Sequence, residues 1–177
     1  MFRRHFKEVS SREIGQYIAD LVRARGDKRF SVICVGTPIV AFDMLGPLLG
    51  SLLLETCPDI LLEGTLWRPV TAAHVAGVAA VAAEMPHTVV AVDSALSKYM
   101  DRIGEITIEA KPLEPGTGVG KALPSIGDIS IAGTVGISGQ NAAYELVYDM
   151  AVVLARALAY AHLILATEGG DDDENRY

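Results

Sequence analysis

Two periods of apolar spacing alternate along the chain. Ile14, Tyr17, Ile18 and Leu21 recur every three or four residues, so 11–25 is a predicted amphipathic helix. Ser10 stands three residues before Glu13 at its start, the pattern of a capping box. Phe30-Ser-Val-Ile-Cys-Val35 is instead a short β-branched run that stops at Gly36, which predicts a buried strand. Further on, 43–55 predicts a helix, 60–63 a short strand, and the Ala/Val-rich stretch 71–84 another helix. Residues 88–92 predict a second buried strand, ending at Asp93. Ile106 and Ile108 alternate with polar neighbours within 103–110, which predicts an edge-like strand. Pro112, Pro115, Pro124 and several glycines leave 111–128 without a regular element. A further strand is predicted over 129–135. A long closing helix follows over 141–165, with Leu146, Met150, Val153, Leu154, Ala157 and Leu158 at helical spacing.

Strands that are apolar throughout, alternating with helices, predict a three-layer αβα sandwich around a mostly parallel, twisted sheet. The length of 177 residues suits one domain, taken as 1–168, with 169–177 as an acidic, solvated tail. Hydrophobic residues at 50% and charged residues at 21% exclude a disordered chain. The net charge of -7 argues against nucleic acid and anionic membranes as partners. No signal-length apolar run follows Met1, and the apolar stretches 44–54, 69–83 and 157–167 fall short of a membrane span. Two cysteines, Cys34 and Cys57, make no disulfide framework and suit a reducing, cytoplasmic setting. The last helix carries Val147, Val152 and Leu163 on more than one face, which makes a homodimer an expectation.

In open α/β sheets, functional groups gather beyond the carboxyl ends of the strands. Residues 36–43 and 93–97 occupy that position, and each segment carries an aspartate. Asp43 stands at the start of a predicted helix, where it could serve as an N-cap and would be kept ionised by the helix terminus. Asp93 ends an apolar strand, where it could bond locally to the backbone or face a dry cleft. Two carboxylates in one crevice do not both ionise cheaply, so one becomes a base and the other an acid. On that reading Asp43 is the base and Asp93 the acid.

The loop Pro115-Gly116-Thr-Gly-Val-Gly120-Lys121 is not a phosphate loop: position 115 is Pro where a Walker loop needs Gly, and Ala122 follows the lysine. Its glycines, Gly116, Gly118 and Gly120, can approach a peptide closely, as can Gly36 and Thr37, and Lys121 could meet a developing oxyanion. Ser138-Gly-Gln140-Asn141 reads as a cap before the last helix. His5, His74, His87 and His162 show no metal-ligand spacing, so no metal and no cofactor is expected, and His74 reads as structural. Cys34 and Cys57 read as inert thiols.

Taken together, Cys34-Val-Gly-Thr37, Asp43-Met-Leu-Gly-Pro47, Ala91-Val-Asp-Ser-Ala-Leu96 and Pro112 through Gly120 with Leu123 through Asp128 closely resemble the YyaC-type family, named for sporulation. The likeness runs from about residue 30 to about 160. The same elements distantly resemble the germination protease, an atypical aspartic peptidase. They also resemble the hydrogenase maturation peptidases, whose fold is an αβα sandwich of the phosphorylase/hydrolase type. The resemblance implies that Asp43 and Asp93 match catalytic aspartates, with loop 115–120 in the same cleft region. It implies a peptide or small spore protein as substrate. In the maturation peptidases the matching acidic positions bind nickel together with a histidine, which has no counterpart here. Residues 39–42 are more apolar than the family pattern, and Thr37 stands where the wider group often has Asn. The alternatives are a catalytically silent peptide-binding or regulatory protein on the same scaffold, and a divalent-metal-binding maturation factor.

Overall fold

A computed structural model describes residues 1–116, 123–140 and 142–170. The strands are β1 (Phe2–His5), β2 (Phe30–Cys34), β3 (Leu62–Glu63), β4 (Thr88–Ser97), β5 (Glu105–Glu109) and β6 (Ile129–Ile137). The helices are α1 (Ser11–Ala24), α2 (Leu45–Thr56), α3 (Val75–Ala83) and α4 (Tyr144–Gly170). The strands form one sheet in the order β1-β5-β6-β4-β2-β3. Strands β3, β2, β4 and β6 run parallel; β5 pairs antiparallel with β6, and β1 antiparallel with β5 at that side.

The expected layering holds, and it is lopsided. Val32, Cys34, Val90, Val92, Ile129 and Ile131 turn one sheet face toward α1, α2 and α4, which contribute Ile14, Ile18, Leu49, Leu53, Met150 and Leu154. Ile33, Val35, Val89 and Ala91 on the other face meet Val75 and Ala82 of the short α3, together with Leu113 and Ile126. Because the strands are buried on both faces, they carry no alternation, which is why their sequences read as continuous apolar runs.

The capping box of α1 forms as expected: the Glu13 N–H donates to Ser10 Oγ at 3.2 Å, and the Ser10 N–H donates to Glu13 Oε2 at 2.9 Å. Strand β5 is not an edge: β1 covers it, pairing Phe2 with Ile108 and His5 with Glu105. Phe-Arg-Arg-His carries no apolar run, so the edge strand has no local signal. Strand β4 runs on past Asp93 to Ser97, because β6 continues beside it after β2 has ended.

Two further expectations are corrected at the closing helix. Ser138 to Gln140 form a turn rather than a cap, with the Ser138 N–H donating to the Ser97 carbonyl at 3.1 Å; Asn141 lies outside the described residues. Of the apolar residues expected on more than one face of α4, Val147 is fully buried in the core, whereas Leu163 is exposed. By length and composition alone α4 could cross a membrane; here its Val147, Met150, Leu154 and Leu158 fill the core.

Candidate functional site

The chain leaves β2, adds β3 on one side of it, and returns to place β4 on the other side. Strand order therefore reverses between β2 and β4, and the crevice at their carboxyl ends is the topological switch point of the sheet. Asp43 and Asp93 belong to this crevice, one on the loop after β2 and the other on β4 one residue beyond its last pairing with β2.

Backbone bonds hold the first loop. The Val35 N–H donates to the Val92 carbonyl at 2.8 Å, and the Gly36 N–H donates to the Val70 carbonyl at 3.0 Å. The chain then turns through Gly36, at φ +135°, and the Thr37 N–H donates to the carbonyl of Asp43 at 2.9 Å. That bond closes residues 37–43 into a small loop. A Cβ at Gly36 would collide with the Asp43 carbonyl, so glycine is needed both for its φ and for this close approach.

Asp43 is not the N-cap of α2. It closes a 3-10 turn, Ala41–Asp43, in which the Asp43 N–H donates to the Val40 carbonyl at 3.1 Å. The N-cap is Met44, whose side chain makes no cap bond. Pro47 fits in the first turn of α2, where an amide hydrogen has no helical partner to lose. Asp43 thus lies two residues before the first residue of α2.

Asp93 shares a strand face with Val89 and Ala91 and pairs with Ala132 of β6. The Ser94 N–H donates to its Oδ1 at 2.7 Å. Burial pushes the Asp93 carboxyl up, the charge of Asp43 pushes it further, and the Ser94 bond only partly opposes them, leaving it at about 7. The register slips just beyond, between Ala95 and Leu96, a β-bulge of the kind found beside functional sites.

The structure therefore brings Asp43, Asp93, Gly36 and Thr37 together at the carboxyl ends of β2 and β4. Gly116, at φ +75°, ends the described part of its loop; Gly118, Gly120 and Lys121 lie outside the described residues. The site also uses groups that spacing does not reveal: the Val70 carbonyl and the Ser94 amide, both supplied by backbone. None of the four best-defined cavities among the described residues is lined by either aspartate. Exposed apolar side chains sit instead on the loops at this end of the sheet: Ile39 after β2, Trp67 after β3, and Tyr99 and Met100 after β4. Trp67 is 90% exposed and Ile39 83%.

The donor set does not fit nickel. No cluster of three histidine, cysteine or carboxylate side chains exists among the described residues, and two hard carboxylates without an imidazole make a poor nickel site. His74 precedes α3, where its Nδ1 accepts from the Thr71 N–H at 3.3 Å, a structural role. Cys34 is buried, and burial raises its thiol well above the ordinary range; burial raises Cys57 as well.

The fold is an α/β fold similar to that of a hydrogenase maturation protease. The crystal structure of the NiFe hydrogenase maturation protease HycI from Thermococcus kodakarensis KOD1 superposes with a TM-score of 0.53. That match covers 83% of this chain and 99% of the other, at 21% identity. The chain belongs to the family described as a protein of unknown function (DUF1256), whose model matches residues 4–167. Within it, the chain is 33% identical over 165 residues to the uncharacterized protein YyaC of Bacillus subtilis strain 168. That alignment spans 88% of this chain and 80% of YyaC.

Proposed function

We propose that the chain is a peptidase in which two aspartates activate water for hydrolysis of a peptide bond. The observation that carries this reading is the Asp93 carboxyl, raised to about 7 by burial and by the charge of Asp43 at the switch point of the sheet. A carboxyl that keeps its proton near neutral pH beside an acidic partner is suited to acid–base work.

Asp43, as the carboxylate, takes a proton from water while the water oxygen bonds to the peptide carbonyl carbon. Asp93 donates its proton to the amide nitrogen as the C–N bond breaks. The two carboxyls then exchange protonation through solvent and return to the starting state. The apolar side chains on the surrounding loops suit a polypeptide laid across the crevice. The maturation protease that shares the fold and the resemblance to the germination protease both support peptide chemistry.

The test is mass-spectrometric profiling of a proteome-derived peptide library with the intact chain, Asp43→Asn and Asp93→Asn. Cleavage by the intact chain that falls about 10²–10⁴-fold in each variant is expected. Unchanged cleavage in either variant rejects the mechanism. Peptides retained tightly and released uncut would instead identify a binding protein on this scaffold.

A further inference from the structure

We infer that the opposite pole of the sheet carries a second ligand site, built for a small organic cation such as an amine or guanidinium group on an apolar body. A cavity of about 380 Å³ opens where the parallel strands begin. Asp27 precedes β2, His87 immediately precedes β4, and Asp128 immediately precedes β6, so each strand delivers one polar side chain to the same cavity.

His87 is the group that points to a ligand. It lines the cavity, is 8% exposed, and neither ring nitrogen has a hydrogen-bond partner among the described residues. A buried imidazole with both nitrogens unmatched costs stability, so it persists where something else is to be met.

The other charges decide what that is. Asp128 is fully engaged: one oxygen accepts from Arg25 at 2.5 Å and the other from the Val89 N–H at 2.9 Å. The Arg25 charge is spent on that pair. Asp27 accepts only a neutral hydroxyl, Thr88 Oγ1, at 2.5 Å. One carboxylate thus remains without a balancing cation among the lining side chains. Ala79, Ala83, Pro86 and Pro112 contribute apolar side chains to the same lining. A carboxylate and an imidazole beside apolar side chains complement a cationic head on a short hydrocarbon body.

The site is separate from the aspartate crevice. His87, just before β4, and Asp93, within it, lie six residues apart, about 20 Å at strand spacing. Its existence does not depend on the proposed hydrolysis.

Calorimetric titration of the intact chain with n-butylguanidinium, n-butylamine and acetate tests it, with the His87 ring resonances followed by NMR. Saturable binding of either cation, with movement of the His87 signals and about tenfold or greater weakening in Asp27→Asn, is expected. Should Asp27→Asn lose its fold, Ala83→Leu fills the cavity from an exposed helix position and must block the same binding. Binding of Gly-Arg-Gly more tightly than n-butylguanidinium would make a polypeptide side chain the source of the cation, and the reverse order a free small molecule. A His87 ring unmoved by both cations, or moved by acetate alone, overturns the proposal.

Discussion

The charge of Asp43 opposes ionisation of Asp93, and with burial it keeps the Asp93 carboxyl protonated up to about pH 7. If Asp93 is the acid of the reaction, cleavage needs that proton. The rate should therefore fall as pH rises through about 7, with kcat/KM dropping about tenfold per unit above it. A pH profile of peptide cleavage measures this. A rate still climbing at pH 9 would remove Asp93 from the acid role.

The same shift acts on stability, with a definite sign. Asp93 titrates near 3.8 in an unfolded chain and near 7 in the folded one. Between those values the folded state holds a proton that the unfolded state has lost, so raising the pH across this window destabilises the fold. Asp93→Asn abolishes the effect. The variant should be more stable than the parent at pH 8, by an amount on the order of 2–4 kcal/mol, and the gap should close toward pH 4. Urea unfolding at several pH values checks it. An inactive variant of raised stability is the expected signature of a site that stores strain for function.

Gly36 ties the strand end to the Asp43 loop. Gly36→Ala forces an unfavourable φ and presses a methyl group on the Asp43 carbonyl. A loss of about 2 kcal/mol or more is expected, together with displacement of Asp43 and loss of cleavage. Thermal unfolding and the cleavage assay, run on the same preparation, separate the two effects.

Trp67 stands nearly free in solvent, so removing it leaves the core intact. If the exposed loops receive a polypeptide, Trp67→Ala should raise KM about tenfold and leave kcat and the melting temperature nearly unchanged. An unchanged KM would take Trp67 out of substrate binding.

Cys34 is enclosed by the core and its thiol is raised by burial. A thiol reagent should leave it unmodified in the native chain and label it only on unfolding, while the partly exposed Cys57 reacts slowly. Mass spectrometry after timed labelling with and without denaturant distinguishes the two.

Much of the architecture was legible from local pattern. Buried strands and helix stripes leave periodicities of their own, which is why α1, β2 and the first half of β4 match their predicted ranges closely. Elements whose stability comes from neighbours left weaker marks. Strand β1 is polar and exists because β5 offers it a ladder, and β4 extends to Ser97 because β6 runs beside it. The helix α2 starts later than its spacing predicts, because spacing does not distinguish a 3-10 turn from the first turn of a helix.

The sequence by itself determined that Asp43 and Asp93 follow apolar strands, since that is a matter of neighbours along the chain. That β2 and β4 lie side by side at a reversal of strand order, bringing two carboxyl groups fifty residues apart in sequence close to each other, follows only from the tertiary packing. Burial and proximity, the two causes of the raised Asp93 carboxyl, arise from packing between distant segments, and no local spacing encodes either.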